Sequence, residues 1–203
     1  MMIYLYGAGK RSSIVIDLLH QNKIRKKIIL VDKKKFKNKQ VFNEKYLLKN
    51  FNPKKDYLII TIANPLKKKE IYYRLKKYCN IRLFNPLIST TASIKKKVKI
   101  GKGTVVMDNA YIGEGVIIKE NSAIGISSLV SHDCKIGNYC EISHRTKIAG
   151  NVKISDNVFI GLGAIVIQKI KINEKSFIGA GVLVKKDIPK NKRVTLRQEI
   201  NLK

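Results

Sequence analysis

Acid–base chemistry in this chain falls to three histidines, His20, His132 and His144. His132 has an acid directly beside it, Asp133, within SHDCKIG. A carboxylate next to an imidazole fixes its tautomer and raises its basicity, which is what a general base needs. Gly150 follows His132 by eighteen residues, in AGNVKI. A glycine N–H held beside such a base is free to face a developing oxyanion, so the pair would suit acyl transfer. His144 lies twelve residues after His132, and Leu162 and Ala180 follow it at intervals of eighteen. His20 ends a predicted helix and suits a partner for that helix's dipole.

These intervals matter because of the element that carries them. Stepping by six from Ile94 meets Ile or Val at every position through Val184. Small residues such as Ala110, Ser122, Cys134, Cys140, Thr146 and Ala164 lie two positions earlier, and glycine often follows the aliphatic residue, as at Gly101, Gly113, Gly125, Gly137, Gly161 and Gly179. A sustained period of six predicts a parallel β-helix. Each hexad forms a short strand and a corner, three hexads make one triangular coil, and the aliphatic residue points inward. The glycines are expected to supply left-handed backbone angles and close approach at corners. About five coils are predicted. Residues eighteen apart then stack about 4.8 Å apart along the axis, which puts His132 beside Gly150 and aligns His144 with Leu162 and Ala180. The two columns lie two faces apart, so a site using both would need adjacent subunits. Cys134 and Cys140 take the small inward position as core residues.

Residues 1–85 read differently. MIYLYGAG is a strand ending in glycines, SSIVIDLLHQN a helix capped by Ser12 or Ser13 with Ile14, Leu18 and Leu19 on one face, and KKIILVD a second strand. EKYLLKNF is a short helix, DYLIITIAN a third strand, and a further helix begins at Pro65. The alternation predicts a small α/β unit with a parallel sheet, followed by the β-helix module at 86–203.

The net charge is +28. The lysines are spread along the chain without a nucleic-acid-binding motif or an aromatic-interleaved basic stripe, so they read as solvated faces that attract polyanionic small molecules rather than nucleic acid. No apolar run is long enough for a membrane span. The first residues lack the pattern of a signal peptide. Three cysteines, Cys79, Cys134 and Cys140, without CxxC spacing argue against disulfides or a zinc knuckle and for a cytoplasmic setting. A zinc carbonic anhydrase on a β-helix would need three histidine ligands per site, which this spacing does not supply, so no metal is expected.

The succession IYLYGAG, ILVD, IITIAN, then SHDCKIG, AGNVKI, IGLGAIV and IGAGVLVKKDIP resembles the sugar O- and N-acetyltransferases of the hexapeptide-repeat superfamily, over residues 2 to about 190. The resemblance implies a left-handed β-helix and a homotrimer with sites between subunits. It implies acetyl-CoA as donor and a nucleotide sugar as acceptor, here a nucleotide-linked amino-deoxy sugar of surface glycan biosynthesis. By the same resemblance His132 is the general base, Asp133 its partner and Gly150 the oxyanion donor. Glu141, His144, Leu162 and Ala180 stand where the family contacts the acyl donor. Gly7, Ala8, Gly9, Lys10, Arg11, Asp32 and Asn64 stand around the nucleotide. An O-acetyltransferase acting on sialic acid or another sugar hydroxyl, or a non-catalytic sugar-nucleotide-binding subunit, are the alternatives. The chain departs from the family in three places. Lys10 and Arg11 replace a glycine and a histidine, Glu141 replaces a histidine, and the tail after Lys190 lacks the ending that borders the CoA adenine.

Overall fold

The structure is a computed structural model that describes residues 1–34 and 40–196. Its N-terminal module holds β1 (Met2–Tyr6), α1 (Lys10–Gln21), β2 (Lys27–Val31), β3 (Val41–Phe42), α2 (Glu44–Asn50), β4 (Tyr57–Ile60) and α3 (Pro65–Tyr78). The sheet order is β3-β2-β1-β4, and every pairing is parallel. The order doubles back after β3 and passes β1 to β4, which opens a crevice at the carboxyl ends of the strands, the place where such sheets take ligands. The helix starts differ from the sequence expectation at one point. α1 begins at Lys10 behind Gly9, and the Ser12 hydroxyl donates to the Gly9 carbonyl instead of capping the helix.

From Leu87 the chain becomes a three-sided parallel β-helix of two-residue strands. The first face runs from Leu87–Ile88 to Arg193–Val194 in seven strands, the second from Ser93–Ile94 to Leu183–Val184 in six, and the third from Lys99–Ile100 to Lys171–Ile172 in five. That makes about six coils, one more than the hexad count predicted, because an additional strand continues the first face at each end of the repeat. Every rung up to Val184 pairs residues eighteen apart, such as Ile118 with Ile136 and Ile142 with Ile160. The inward Ile and Val rows and Cys134, Cys140, Ala110 and Ala164 form one buried core.

The corner glycines work by only one of the two expected means. Their φ angles are not left-handed. The left-handed position lies two residues later and recurs every six residues from Lys97 to Gly181, at Asn109, Asn121, Asp133 and Asn151 among others. Asparagine tolerates this region and other residues are held there by their neighbours. The glycines serve close approach: a β-carbon at Gly113 would lie 2.7 Å from the backbone nitrogen of His132.

The two modules share a core. Ile3, Leu5, Val15, Leu18, Leu19 and Ile59 pack against Leu87, Val105 and Met107 of the first face. The three faces of the β-helix therefore differ. The first is partly covered by the N-terminal module. The second presents Tyr111, Leu129, Ile165 and Leu183 to the outside, with Lys147 between Leu129 and Ile165. The third presents the row Lys99, Ile117, Lys135, Lys153 and Lys171 in adjacent coils. Lysines scattered in the sequence are thus gathered on one face.

Candidate active site

His132 occupies the corner between the second and third faces, with its side chain 58% exposed. Asp133 sits at the left-handed position, φ +57°. That backbone turn brings the carboxylate back onto the preceding residue, and Asp133 Oδ2 lies 2.9 Å from His132 Nδ1. Nε2 is left on the side of Gly150, one coil on. The Asp133 N–H donates to the Glu114 carbonyl one coil earlier, which fixes the corner.

The eighteen-residue spacing places Gly150 directly under the ring. A β-carbon at position 150 would lie 2.5 Å from Nε2 and 2.7 Å from Cε1, so only glycine leaves the imidazole where it is. Chain direction is secured by the Asn151 N–H donating to the His132 carbonyl and the Lys169 N–H to the Gly150 carbonyl. Among the described residues the Gly150 N–H donates to no backbone or side-chain acceptor. A basic nitrogen, a carboxylate that holds its tautomer and an unused N–H therefore meet at one corner. Such a group can take a proton from an attacking amine or hydroxyl and stabilise an oxyanion.

His144 lies at the next corner, between the first and second faces. Its Nδ1 accepts the Ile126 N–H at 2.9 Å. Gly163 donates to the His144 carbonyl and Gly181 to the Leu162 carbonyl, so His144, Leu162 and Ala180 form one column as the spacing requires. Leu162 is half exposed, and Ala180 is exposed. The second face is bounded by the His132 corner along one edge and by the His144 corner along the other.

Glu141 does not join this column. It stands on the first face under the N-terminal module, 1% exposed, with its carboxylate held by Arg11 and Lys68. A contact from Glu141 to an acyl donor is ruled out by that burial. Two of the departures from the family pattern, Arg11 and Glu141, thus turn out to be one ion pair.

The crevice of the N-terminal module is a cleft of about 490 Å³ lined by Gly7, Gly9, Asp32, Lys33, Lys34, Thr61, Lys67 and Arg74, among others. It gathers Gly7, Gly9 and Asp32 of the expected nucleotide-contacting residues. Asp32 shapes the floor, accepting the N–H groups of Ala8 and Lys34. Ala8 is buried and Arg11 is engaged by Glu141, so neither side chain lines the cleft. Lys10 is exposed at the start of α1, outside the lining. Asn64 caps α3 by accepting the Lys67 N–H. The sequence reading missed Lys33, Lys34 and Lys67, which supply the cleft's positive charge; lysines right after Asp32 and in the first turn of α3 were the available signal. It also missed Arg74, which lines the cleft and whose guanidinium reaches Glu44 and Glu70. Burial and the hydrogen bond to Glu44 push the Tyr6 hydroxyl well above its ordinary range. The Arg74 guanidinium holds the Glu44 carboxyl below the usual range.

Among the described residues, no group of three or more His, Cys, Asp or Glu could hold a metal ion. No described helix is long and apolar enough to cross a membrane. Residues 197–203 of the tail, where the family's terminal motif would stand, lie outside the described residues.

A β-helix of hexads behind a small parallel α/β module defines a hexapeptide-repeat protein. Residues 91–125 match the family model for bacterial transferase hexapeptide (six repeats), and residues 2–75 match the model for the PglD N-terminal domain. Each of the two modules thus matches a family model of its own. Its fold is shared with the acetyltransferase domain of PglB from Neisseria gonorrhoeae, at 23% identity, TM-score 0.86 and 95% coverage of each chain. PerB from Caulobacter crescentus, solved with CoA and GDP-perosamine, aligns at 22% identity and TM-score 0.84, over 94% of this chain and 91% of its own. WeeI from Acinetobacter baumannii aligns at 20% identity and TM-score 0.63, over 95% and 96%. No curated protein matches the chain by sequence.

Proposed function

We propose that the protein is an acetyltransferase that moves the acetyl group of acetyl-CoA to the amino group of a nucleotide-linked amino-deoxy sugar. The observation that carries this reading is the corner at which the His132 ring lies over Gly150. In the reaction, Nε2 of His132 takes a proton from the sugar amine as the amine attacks the thioester carbonyl. Asp133 stabilises the imidazolium that results, and the Gly150 N–H receives the carbonyl oxygen as it becomes an oxyanion. Collapse of the tetrahedral intermediate forms the amide and expels the CoA thiolate, which takes up a proton.

Residues 1–85 are the nucleotide-sugar module in this reading. The cleft with Lys33, Lys34 and Lys67 takes the diphosphate, and residues 86–203 are the acyltransferase module. The donor's arm runs along His144, Leu162 and Ala180. The working unit is a homotrimer packed through the second face, whose outward row is apolar at Tyr111, Leu129, Ile165 and Leu183. That face has the His132 corner on one edge and the His144 column on the other, so head-to-tail packing around a threefold axis joins one subunit's base to its neighbour's donor column. The lysine row of the third face raises the local concentration of both polyanionic substrates. The setting is cytoplasmic, within surface glycan biosynthesis.

Support comes also from PglB and PerB, which share the fold and whose names or ligands concern acetyl transfer, CoA and an amino-sugar nucleotide. The test is thiol release from acetyl-CoA against UDP-, GDP- and dTDP-linked 4-amino-4,6-dideoxy sugars. Release with at least one acceptor is expected. His132→Ala should lower turnover at least about a hundredfold, the usual scale for a lost general base, with fold and CoA binding kept. Near-normal turnover in that variant would sink the mechanism.

A further inference from the structure

A cluster of buried charge lies between the two modules, away from the His132 corner. Glu141 is 1% exposed. Arg11, in the first turn of α1, approaches it with Nη2 2.6 Å from Oε1 and Nη1 2.7 Å from Oε2. Lys68, in the first turn of α3 and 3% exposed, places Nζ 3.5 Å from Oε2. Two cations share one carboxylate. Burial pushes the Lys68 ammonium below its ordinary range, and Glu141 works in the opposite direction.

Such a cluster is a poor way to gain stability, since apolar residues of similar volume usually do as well or better. What it supplies is direction. It ties the N-terminal turns of α1 and α3 to one point on the β-helix. Those turns border the cleft: Gly9 precedes α1, and Lys67 and Ile71 of α3 line it. Glu141 also rides on the coil that carries His132, nine residues further along.

We infer that Glu141 is a positioning residue that, through Arg11 and Lys68, holds the nucleotide cleft in register with the coil bearing the base. The inference rests on the proposed sugar-acetyltransferase reading. A misplacement of about 1 Å costs on the order of a hundredfold in rate, so the register of the cleft has catalytic weight although none of the three residues touches a reacting atom.

Two variants separate positioning from stability. Lys68→Met leaves a one-to-one Arg11–Glu141 pair and should keep or raise the Tm. Glu141→Gln leaves the buried Lys68 and the partly buried Arg11 without an anion and should lower it. Both should raise the nucleotide-sugar KM about tenfold or more, with the acetyl-CoA KM within about twofold of wild type. Glu141→Asp should recover part of the loss. Hydrogen exchange should quicken in residues 9–14 and 65–70 of both variants and stay slow in the β-helix. Unchanged exchange in both variants overturns the inference. So does faster exchange with an unchanged sugar KM, which would leave the cluster merely structural. If wild type releases no thiol with any acceptor, the functional reading falls instead. Exchange, together with calorimetric Kd values for UDP, GDP and dTDP in wild type and Lys68→Met, then decides the clamp: loosened turns with weakened nucleotide binding support it, and equal affinities overturn it.

Discussion

Replacing Gly150 by alanine isolates the feature on which the mechanism turns. The added β-carbon would lie 2.5 Å from Nε2, 2.7 Å from Cε1 and 3.1 Å from Cδ2 of His132. Ordinary contact between such atoms is about 3.5 Å, so the ring must retreat by about 1 Å. The backbone has no objection of its own, because Gly150 is not among the residues with positive φ. His132 is at the surface and can swing outward without disturbing the core. Displacement by about 1 Å costs about a hundredfold, and crowding of the N–H adds a share of the hundred- to thousandfold that one oxyanion donor is worth. Gly150→Ala should therefore lower kcat by at least about a hundredfold while the Tm moves by only a few degrees. The assay is thiol release under saturating acetyl-CoA, with circular dichroism melts as the control for folding. A kcat within threefold of wild type would refute both the base and the oxyanion assignment. A large drop in Tm would refute the claim that the ring yields instead of the coil.

Asp133→Asn keeps a residue that tolerates the left-handed corner but removes the negative charge opposite the imidazolium, so kcat should fall about tenfold or more with the Tm unchanged. Leu129→Lys or Ile165→Lys sets a second cation beside Lys147 on the second face and should convert a trimer into 23.1 kDa monomers by light scattering, with loss of activity. An unaltered trimer would move the interface elsewhere. Burial pushes the Cys134 thiol up to about 11 and the Cys140 thiol up to about 12, so at pH 8 a disulfide reagent should label Cys79 alone in the native protein and three thiols after denaturation. Glu44 has its folded pKa depressed, first by the hydrogen bond from Arg74, so its contribution is present above the unfolded carboxylate range and is lost as pH falls through the lower folded value. Arg74→Met should flatten the decline of stability below about pH 4.5; an unchanged acid limb in urea titrations would contradict that pairing.

Much of this molecule is legible without coordinates because the β-helix is nearly one-dimensional. Each inward position has one requirement, a β-branched residue, and repetition every six residues makes that requirement visible in the sequence. The same regularity turns eighteen residues into one step along the axis, which is why His132 could be set beside Gly150 and His144 beside Leu162. It also made the core role of Cys134 and Cys140 readable. Most of the α/β order of the first 85 residues was equally plain, since strand runs and helix spacing are local; only the two-residue β3, too short to show a pattern, was not expected.

The outward residues follow no such rule. The same step of eighteen puts Lys99, Lys135, Lys153 and Lys171 in one column and Leu129 and Ile165 in another, but it does not say which face another module covers, because outward rows have no single requirement that every coil repeats. The glycines after the aliphatic residues were assigned left-handed angles, whereas the strain lies two residues on and the glycines answer a contact one coil away. Glu141 shows the limit most clearly. In sequence it is an unexplained acid 130 residues from Arg11. Only the packing of α1 and α3 on the first face buries it against two cations, and a buried charge depends on what encloses it rather than on its chain neighbours. The repeat by itself determined the scaffold and the alignment of its columns; tertiary structure decided which face is covered and how the cleft of the N-terminal module is tied to the coil of His132, because both depend on packing between segments far apart in the chain.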